Sequence, residues 1–551
     1  MRRLFLFWGL PGLLCAQLPV IYSHGVTNAG SYTAAGLPTG SIALGSIFTI
    51  FGTNLGPTTG VQVSSFPLGT TFNGVSIKVI QGTTTVNAIP LYVGQNSVNA
   101  IMPSNTPLGL VSLRLTYNGL QSNPIPVRIV NDSPGIFTFT GTGMGPAAAL
   151  IPVTGGLANN STAYTAKPGQ VLTLYLTGLG PITTADNVAP PSGNLPTVVE
   201  VFVGGQSASV EYSGRSSNAG LDQINFVVPP SSPSGCWVPL YVRTSRVNIS
   251  NFTTLSIGAK NGAPCSEPDN PLAKVFVSGG KLAQLTVARF SVLEDVGMVN
   301  FVEVASDVFG IGMSLEKGGP FAYAPFLSLP PAGTCTVFTT GSDFFSSGSL
   351  PVNSTSVRTL DAGNPFMLDS STGNLAMTAT NPALAAGYLG SFAPYLSGLP
   401  NQLVINPGSY TIKAPGGADV NAFSAPFNIP PPFTWSNRSQ TTIVNRTQAL
   451  SVAWTNAAPE TSMAVIGVST DLPANASAIF YCVAPAGASS FSVPVDVLSV
   501  LPATHGDPLK SKSVIFVGNS PPSNATLVQI PGIDAALAEP TLIYGKTVVF
   551  Q

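Results

Sequence analysis

The sequence predicts an all-β protein: tandem immunoglobulin-like β-sandwiches followed by one or two further β-rich domains. Three observations carry this. The stretch 45–57, GSIFTIFGTNLGP, returns at 169–181 as GQVLTLYLTGLGP, an offset of 124 residues. A second pair, VNAIMP at 98–103 and INFVVP at 224–229, follows at an offset of 126; two matches in one order at nearly equal offset mark a duplicated unit. The 551 residues include 57 glycines and 50 prolines, hostile to long helices and natural for many short strands. Between those turn residues lie short runs of period-two alternation, as in Val75, Ile77 and Val79, the pattern of a half-buried strand.

Taken in order, residues 1–16 read as a secretory leader: Arg2 and Arg3, an apolar run Leu4 to Leu14, then a cleavage point after Ala16. The run is too short to span a bilayer. The rival, lipidation of Cys15, is disfavoured by the bulk of Leu14 just before it. Repeat one, 17–140, places strands at Ile47–Phe51, Val75–Val79, Leu91–Val93, Val98–Met102, Val111–Leu115 and Ile125–Val130, closing at Ser133–Phe137. Repeat two, 141–258, places them at Val171–Leu176, Val199–Val203, Ser209–Tyr212, Ile224–Val228, Val238–Val242 and Thr253–Ile257. Gly204-Gly205 supplies a hairpin turn between two of these. Roughly seven short strands in such a span fit an immunoglobulin-like sandwich.

Residues 259–270, with Pro264, Cys265 and Pro268, read as a linker. A β-rich domain is expected over 271–429 and a second over 430–551, divided at Pro430-Pro431-Pro432. Leu282–Phe290 reads as a strand or a short helix; Met298–Val304, Met313–Leu315, Ser409–Lys413 and Ala422–Ile429 read as strands. Beyond the prolines, Leu450–Trp454, Met463–Val468, Ser477–Cys482 and Phe491–Leu501 are strand-like.

Charged residues make only 8% of the chain and the formal net charge is −1. No basic field exists to hold nucleic acid or an anionic membrane. No other apolar stretch approaches the length of a transmembrane helix. An outer-membrane barrel is disfavoured because 50 prolines and a glycine-punctuated interior fit poorly with long lipid-facing strands.

Beyond Cys15 stand Cys236, Cys265, Cys335 and Cys482, an even number in an exported chain. Three pairings are open. Cys236–Cys265 is the most local; Cys335–Cys482 would then join distant segments. Zinc is the rival, but no CxxC exists and only His24 and His505 are at hand.

Catalytic constellations are sparse. A Ser-His-Asp or Cys-His device needs a histidine base; His24 follows the cleavage point and His505 lies in a loop. There is no GxSxG elbow and no phosphate-cradling loop, so no cofactor is expected. Paired carboxylates could hydrolyse a glycoside, and the candidates are Glu200 with Glu211 and Glu294 with Asp295, each more simply read as solvated surface. Asp186-Asn187, Glu267 with Asp269 and Asn270, and Asp419 with Asn421 are short acidic loops of the sort that binds calcium, without EF-hand spacing. Trp435 and Trp454, with Trp237 behind them, could stack on sugar rings, though core or interdomain packing is the simpler reading of both. Trp237 adjoins Cys236, a position that favours core packing.

The ordered motifs support one resemblance. Val26 to Ser31, Gly45 to Pro57, Ser133 to Phe137, Leu172 to Pro181, Val203 to Ala208 and Gly220 to Pro229 are together similar to the uncharacterised C-terminal domain family of secreted proteins in Solibacter-type acidobacteria. Gln170 and Asp222 depart from the family's usual pattern. The Ile47 to Gly56 segment also resembles, more weakly, the opening of immunoglobulin-like, plexin and transcription-factor modules. The resemblance covers about residues 26–258 and implies export and a β fold; it carries no catalytic residue. The expectation is a non-catalytic secreted or cell-surface protein whose loops meet an extracellular protein or polysaccharide. The alternative is an extracellular polysaccharide-acting enzyme with its site in 271–551 and the repeats as accessory modules.

Overall fold

A computed structural model describes residues 17–260, 262–267, 270, 272–295, 301–325, 327–341, 356–371, 373–377, 395–398, 405–504, 511–520 and 525–551. The expected leader with Cys15, and Asp269, Met298 and His505, lie outside these residues, as does the Asp295 side chain. The protein is all-β, with tandem immunoglobulin-like sandwiches followed by a β-rich region. No helix among the described residues is long and apolar enough to cross a membrane.

In the first repeat the strand Thr84–Val93 crosses between layers. Its first half pairs with Val75–Gln81 and its second half with Ser97–Ile101. Phe48, Ile50, Ile77, Val98 and Leu113 fill the space between the layers. The second repeat repeats the device. Gln206–Arg215 pairs first with Val199–Val203 and then with Asp222–Val227. Val171–Thr177 lies on Asp222–Val227 as Ile47–Thr53 lies on Ser97–Ile101. The turn at Gly204-Gly205 forms as expected, with φ of 56° and 78°, the mirror-image hairpin geometry that glycine adopts without strain.

The duplication extends to buried polar contacts. Thr49 Oγ1 donates to Asn99 Oδ1 at 2.9 Å, and Thr173 Oγ1 to Asn225 Oδ1 at 3.1 Å. Asn123 accepts from the Ile21 N–H and donates to the Ile21 carbonyl. Asn251 does the same at Ile136 and also donates to Gly143 O. Each amide acts as a piece of surrogate backbone where the first strand of its sandwich has run out of partners.

The two sandwiches meet across a dry polar joint. Arg215 and Asp222 form a fully buried ion pair. The guanidinium also donates to Gly45 O at 3.0 Å and Gly180 O at 2.8 Å, one glycine from each copy of the duplicated motif. Thr177 Oγ1 accepts from Ile47 N–H and donates to Gly220 O. Asp186 accepts from the Ser104 amide at 2.7 Å and its hydroxyl at 2.8 Å.

After the helix Ala273–Ser278, one ten-stranded sheet organises the rest of the chain. Its path runs Cys335–Thr340, Ala476–Val483, Met463–Asp471, Ser511–Asn519, Ala535–Thr547, Gly280–Asp295, Phe301–Glu316 and Ser356–Thr359. Strands from both sides of Pro430 share it, and Gly280–Asp295 pairs in parallel with Ala535–Thr547. The expected division at 429/430 therefore does not separate two sheets: the prolines end one strand, Phe423–Ile429, and precede another, Thr434–Trp435. Leu282–Phe290 is strand, not helix. A four-stranded sheet through Phe366–Ser370, Gly408–Ala414 and Phe423–Ile429 packs Phe366, Ile412 and Ala425 against Ala283, Leu285 and Ala538 of the large sheet. Phe491–Leu501 divides into the strand Ser490–Val493 and the short helix Val495–Ser499. Pro494 is the cause, having no N–H to continue a ladder and a φ of −65° suited to a helix start.

The sandwiches are also bound to this region. Arg243 forks onto Glu200 at 2.8 and 2.9 Å and onto Asp496 at 2.9 and 3.0 Å. It stacks on Phe202, 4.7 Å from the ring centre. Tyr241 Oη donates to the same Asp496. Tyr241, Phe252, Ala34 and Leu37 share one core with Trp435, Trp454 and Val465, so both sandwiches contribute to it.

Removing one member of a buried pair leaves an uncompensated charge, a loss of about 3–5 kcal/mol. Asp222→Asn is expected to lower the urea midpoint accordingly, while Asp369→Asn, at an exposed pair with Lys413, is expected to shift it by about a tenth of that. Equal shifts would contradict the assignment of the joint.

Candidate functional site

Both disulfides form, Cys236–Cys265 across 29 residues and Cys335–Cys482 across 147. The first ties the linker to the strand Gly235–Thr244. The second joins directly opposed residues on the edge strand Cys335–Thr340 and its inner neighbour Ala476–Val483 and removes about 5 kcal/mol of chain entropy from the unfolded state on the loop-closure account.

The candidate sugar platforms are not surface. Trp435 is 4% exposed and Trp454 1%; they pair across strands. Their indole N–H groups donate inward, to Asn437 Oδ1 and Ala488 O. Two adjacent strands of alternating pattern present their tryptophans to the same core face, which is why these residues pack instead of binding. Trp237 is fully buried and meets Phe276 edge-on.

Glu200 and Glu211 do not form a carboxylate pair, and the Glu294–Asp295 candidate falls partly outside the described residues. The hairpin pairing that carries Glu200 ends at Val201 with Ala208, Glu211 falls in a bulge, and Glu200 is held by Arg243 on the neighbouring strand, which keeps its carboxyl below the usual range. Glu294 is exposed on Gly280–Asp295. His24 is exposed on the first strand at φ 59°. Of the acidic loops, Asp186 clasps Ser104 and Asn187 donates to Leu68 O. Asp419 takes a two-pronged contact from Arg358 and the Asp361 amide, so its carboxyl lies at about 2. Among the described residues no three His, Cys, Asp or Glu side chains stand where they could hold a metal ion.

What remains is a pair of clefts on either side of the linker. One, of about 600 Å³, opens between the second sandwich and the C-terminal region, lined by Ser234, Lys260, Pro331 and Ser462 among others. The second, of about 540 Å³, is lined by Cys236, Cys265, Lys274 and Asp534 among others. Pro264, Ser266, Glu267 and Asn270 line both, so the linker is the wall between them. Glu267 Oε1 accepts from the Cys236 amide. A Cβ at Gly235 would stand 2.8 Å from that oxygen and 3.1 Å from Pro331, so glycine there leaves the room Glu267 occupies. Asn270 donates to Leu327 O and accepts from Leu272 N–H. The walls offer hydroxyls, the carboxylates of Glu267 and Asp534, ammonium groups and apolar proline and valine surface. Among the described residues that line them, these groups can offer hydrogen bonds, ionic contacts and apolar contact.

Sequence reasoning singled out Glu267 only as a loop acid, and missed Arg215 and Arg243 as structural anchors.

No family model matches the chain, and no curated protein matches it. Solved structures similar to it include titin domains I67–I69 in an E-to-A mutated variant, at 9% identity over 75% of this chain and 99% of that one, TM-score 0.13. Others are Sidekick-1 immunoglobulin domains 1–4, at 11% identity over 97% and 99%, TM-score 0.12, and SGBP-B from a xyloglucan utilisation locus of Bacteroides uniformis, at 12% over 71% and 88%, TM-score 0.16. At these scores neither a ligand nor a partner passes from any of them to this chain.

One further acid is buried away from both clefts. Glu539 is 4% exposed, with Gln284 Nε2 at 3.4 Å and Thr286 Oγ1 at 3.5 Å. Burial pushes its carboxyl from 4.5 up to about 7. The folded state thus holds a proton that the unfolded state releases, and stability falls as pH rises from about 4.5 to about 7. Glu539→Gln is expected to stabilise the protein at pH 8 by at most about 3 kcal/mol, and to leave it unchanged below pH 4.5. Urea midpoints across pH measure this; a gain present at low pH would contradict it.

Proposed function

We propose that this chain is a non-catalytic extracellular binding protein that holds a protein or polysaccharide ligand in the cleft between its second sandwich and its C-terminal region. We place residues 26–258 in the acidobacterial secreted family that their motifs resemble. The observation that carries the reading is the character of the seam. It is an open cleft of about 600 Å³ with serines, Lys260 and Glu267 over a proline-lined floor, and no acid–base pair. Asp186, Glu200 and Asp419 are committed to structural contacts, and the tryptophans to the core. Two disulfides fit an oxidising compartment outside the cytoplasm, and a leader at 1–16 would deliver the chain there. A cleft fixed by hydrogen bonds, an ion-pair fork and a disulfide loses little freedom on binding, which favours affinity from modest contacts.

The test is a glycan array together with capture from solubilised native envelope. Ala332 and Ser234 are exposed residues of the cleft wall. Ala332→Trp and Ser234→Trp are each expected to weaken the captured ligand at least tenfold while leaving the fold intact. No ligand above background, combined with turnover of an extracellular polymer that is lost in Glu294→Gln or Asp419→Asn, would overturn the reading in favour of an enzyme.

A further inference from the structure

The two disulfides differ in what surrounds them. Cys482 is fully buried and Cys335 is 8% exposed; they face each other on paired strands with Cα atoms 4.0 Å apart, inside the core that holds Trp454 and Val465. An external thiol reaches that bond only by opening the sheet. Cys236 and Cys265, in contrast, both line the 540 Å³ cleft, and Cys265 is part-exposed. The bond pins the segment that forms the common wall of both clefts. The segment is also tied by hydrogen bonds, among them Glu267 to the Cys236 amide, the Cys265 amide to Thr162 O, Thr165 to Ala263 O and Asn270 to Leu327 O.

We infer that Cys236–Cys265 is a thiol–disulfide exchange site open to low-molecular-weight dithiols through this cleft, and that its reduction releases the linker wall and so regulates ligand binding. A thiolate of the dithiol attacks Cys265 Sγ, the more accessible sulfur. The S–S bond breaks, Cys236 leaves as a thiolate and takes a proton from water, and Cys265 is left in a mixed disulfide. The second thiol of the reagent, once deprotonated, displaces Cys265, which is protonated in turn. Two electrons pass from the dithiol to the cystine; the reagent becomes a cyclic disulfide and the protein gains two thiols. Cys335–Cys482 lines neither of the two clefts and is buried, so it stays intact at the dithiol concentration that opens Cys236–Cys265. The regulatory consequence rests on the cleft being the ligand site; the exchange chemistry does not.

The experiment titrates the full-length folded protein with dithiothreitol, alkylates the freed thiols and maps them by mass spectrometry, with circular dichroism and limited trypsin digestion in parallel. Cys236 and Cys265 are expected to be labelled at a dithiothreitol concentration at least tenfold below that needed for Cys335 and Cys482, with strand content unchanged. Cleavage after Lys260, which lies at the exposed start of the linker, is expected to rise with the labelling. The double variant Cys236→Ser/Cys265→Ser is expected to show that cleavage without reductant; should it fail to fold, the wild-type titration decides alone. Simultaneous reduction of both bonds, earlier reduction of Cys335–Cys482, or labelling only with loss of strand content would overturn the inference. An empty glycan array beside selective reduction would remove the proposed ligand and keep the exchange site; a captured ligand beside simultaneous reduction would do the reverse.

Discussion

A guanidinium with no access to water holds the first two modules together. Arg215 sits against Asp222, and its second amino group bridges Gly45 O and Gly180 O. Burial pushes the Asp222 carboxyl upward against the pull of Arg215 and the Leu179 amide. Moving such a pair out of water is unfavourable, and breaking it once buried is worse, so its contribution is mainly to fix one arrangement. The approach requires glycine at 45. A Cβ on Gly45 would stand 2.2 Å from the arginine, and its φ of 69° already favours glycine. The motif that marks the duplication in sequence is thus also the surface by which the copies dock.

From this joint the rest of the arrangement follows. With the sandwiches fixed, Arg243 presents its fork to Glu200 and Asp496 while Tyr241 and Phe252 enter the C-terminal core. The loop around Ala34 and Leu37 of the first sandwich reaches the same core. The chain closes on itself instead of extending as beads on a string. A seam between modules held this way keeps its shape, which is what a binding cleft there requires, and the linker that crosses the seam becomes its inner wall.

Much of the sandwich pair was legible in the sequence because its signals are local: alternation, turn glycines and an ordered repeat. The crossing strands Thr84–Val93 and Gln206–Arg215 recur at equivalent places for that reason. The C-terminal region was not legible in the same way. Its defining pairing, Leu282 with Ala535, joins residues far apart in the chain, and a parallel pairing leaves no hairpin signal between its strands. Pro430 to Pro432 looked like a domain boundary because proline ends strands wherever it stands. Trp435 and Trp454 were offered as ligand platforms because a sequence shows which face a residue takes but not what covers that face. Glu200 reads as facing Glu211 across the hairpin, and Asp419 and Asp186 as loop acids, whereas their contacts, Arg243, Arg358 and Ser104, lie elsewhere in the chain. The clefts depend on how modules meet and left no motif; only the prolines around Cys265 pointed at the segment that divides them.

Small-angle X-ray scattering of the full chain in solution tests the central claim, that buried polar joints lock these modules into one closed body. The account predicts a scattering profile matched by a single closed arrangement, unchanged between low and moderate salt because the Arg215–Asp222 pair is shielded from screening. A profile that demands an extended or broadly distributed set of module positions would contradict it.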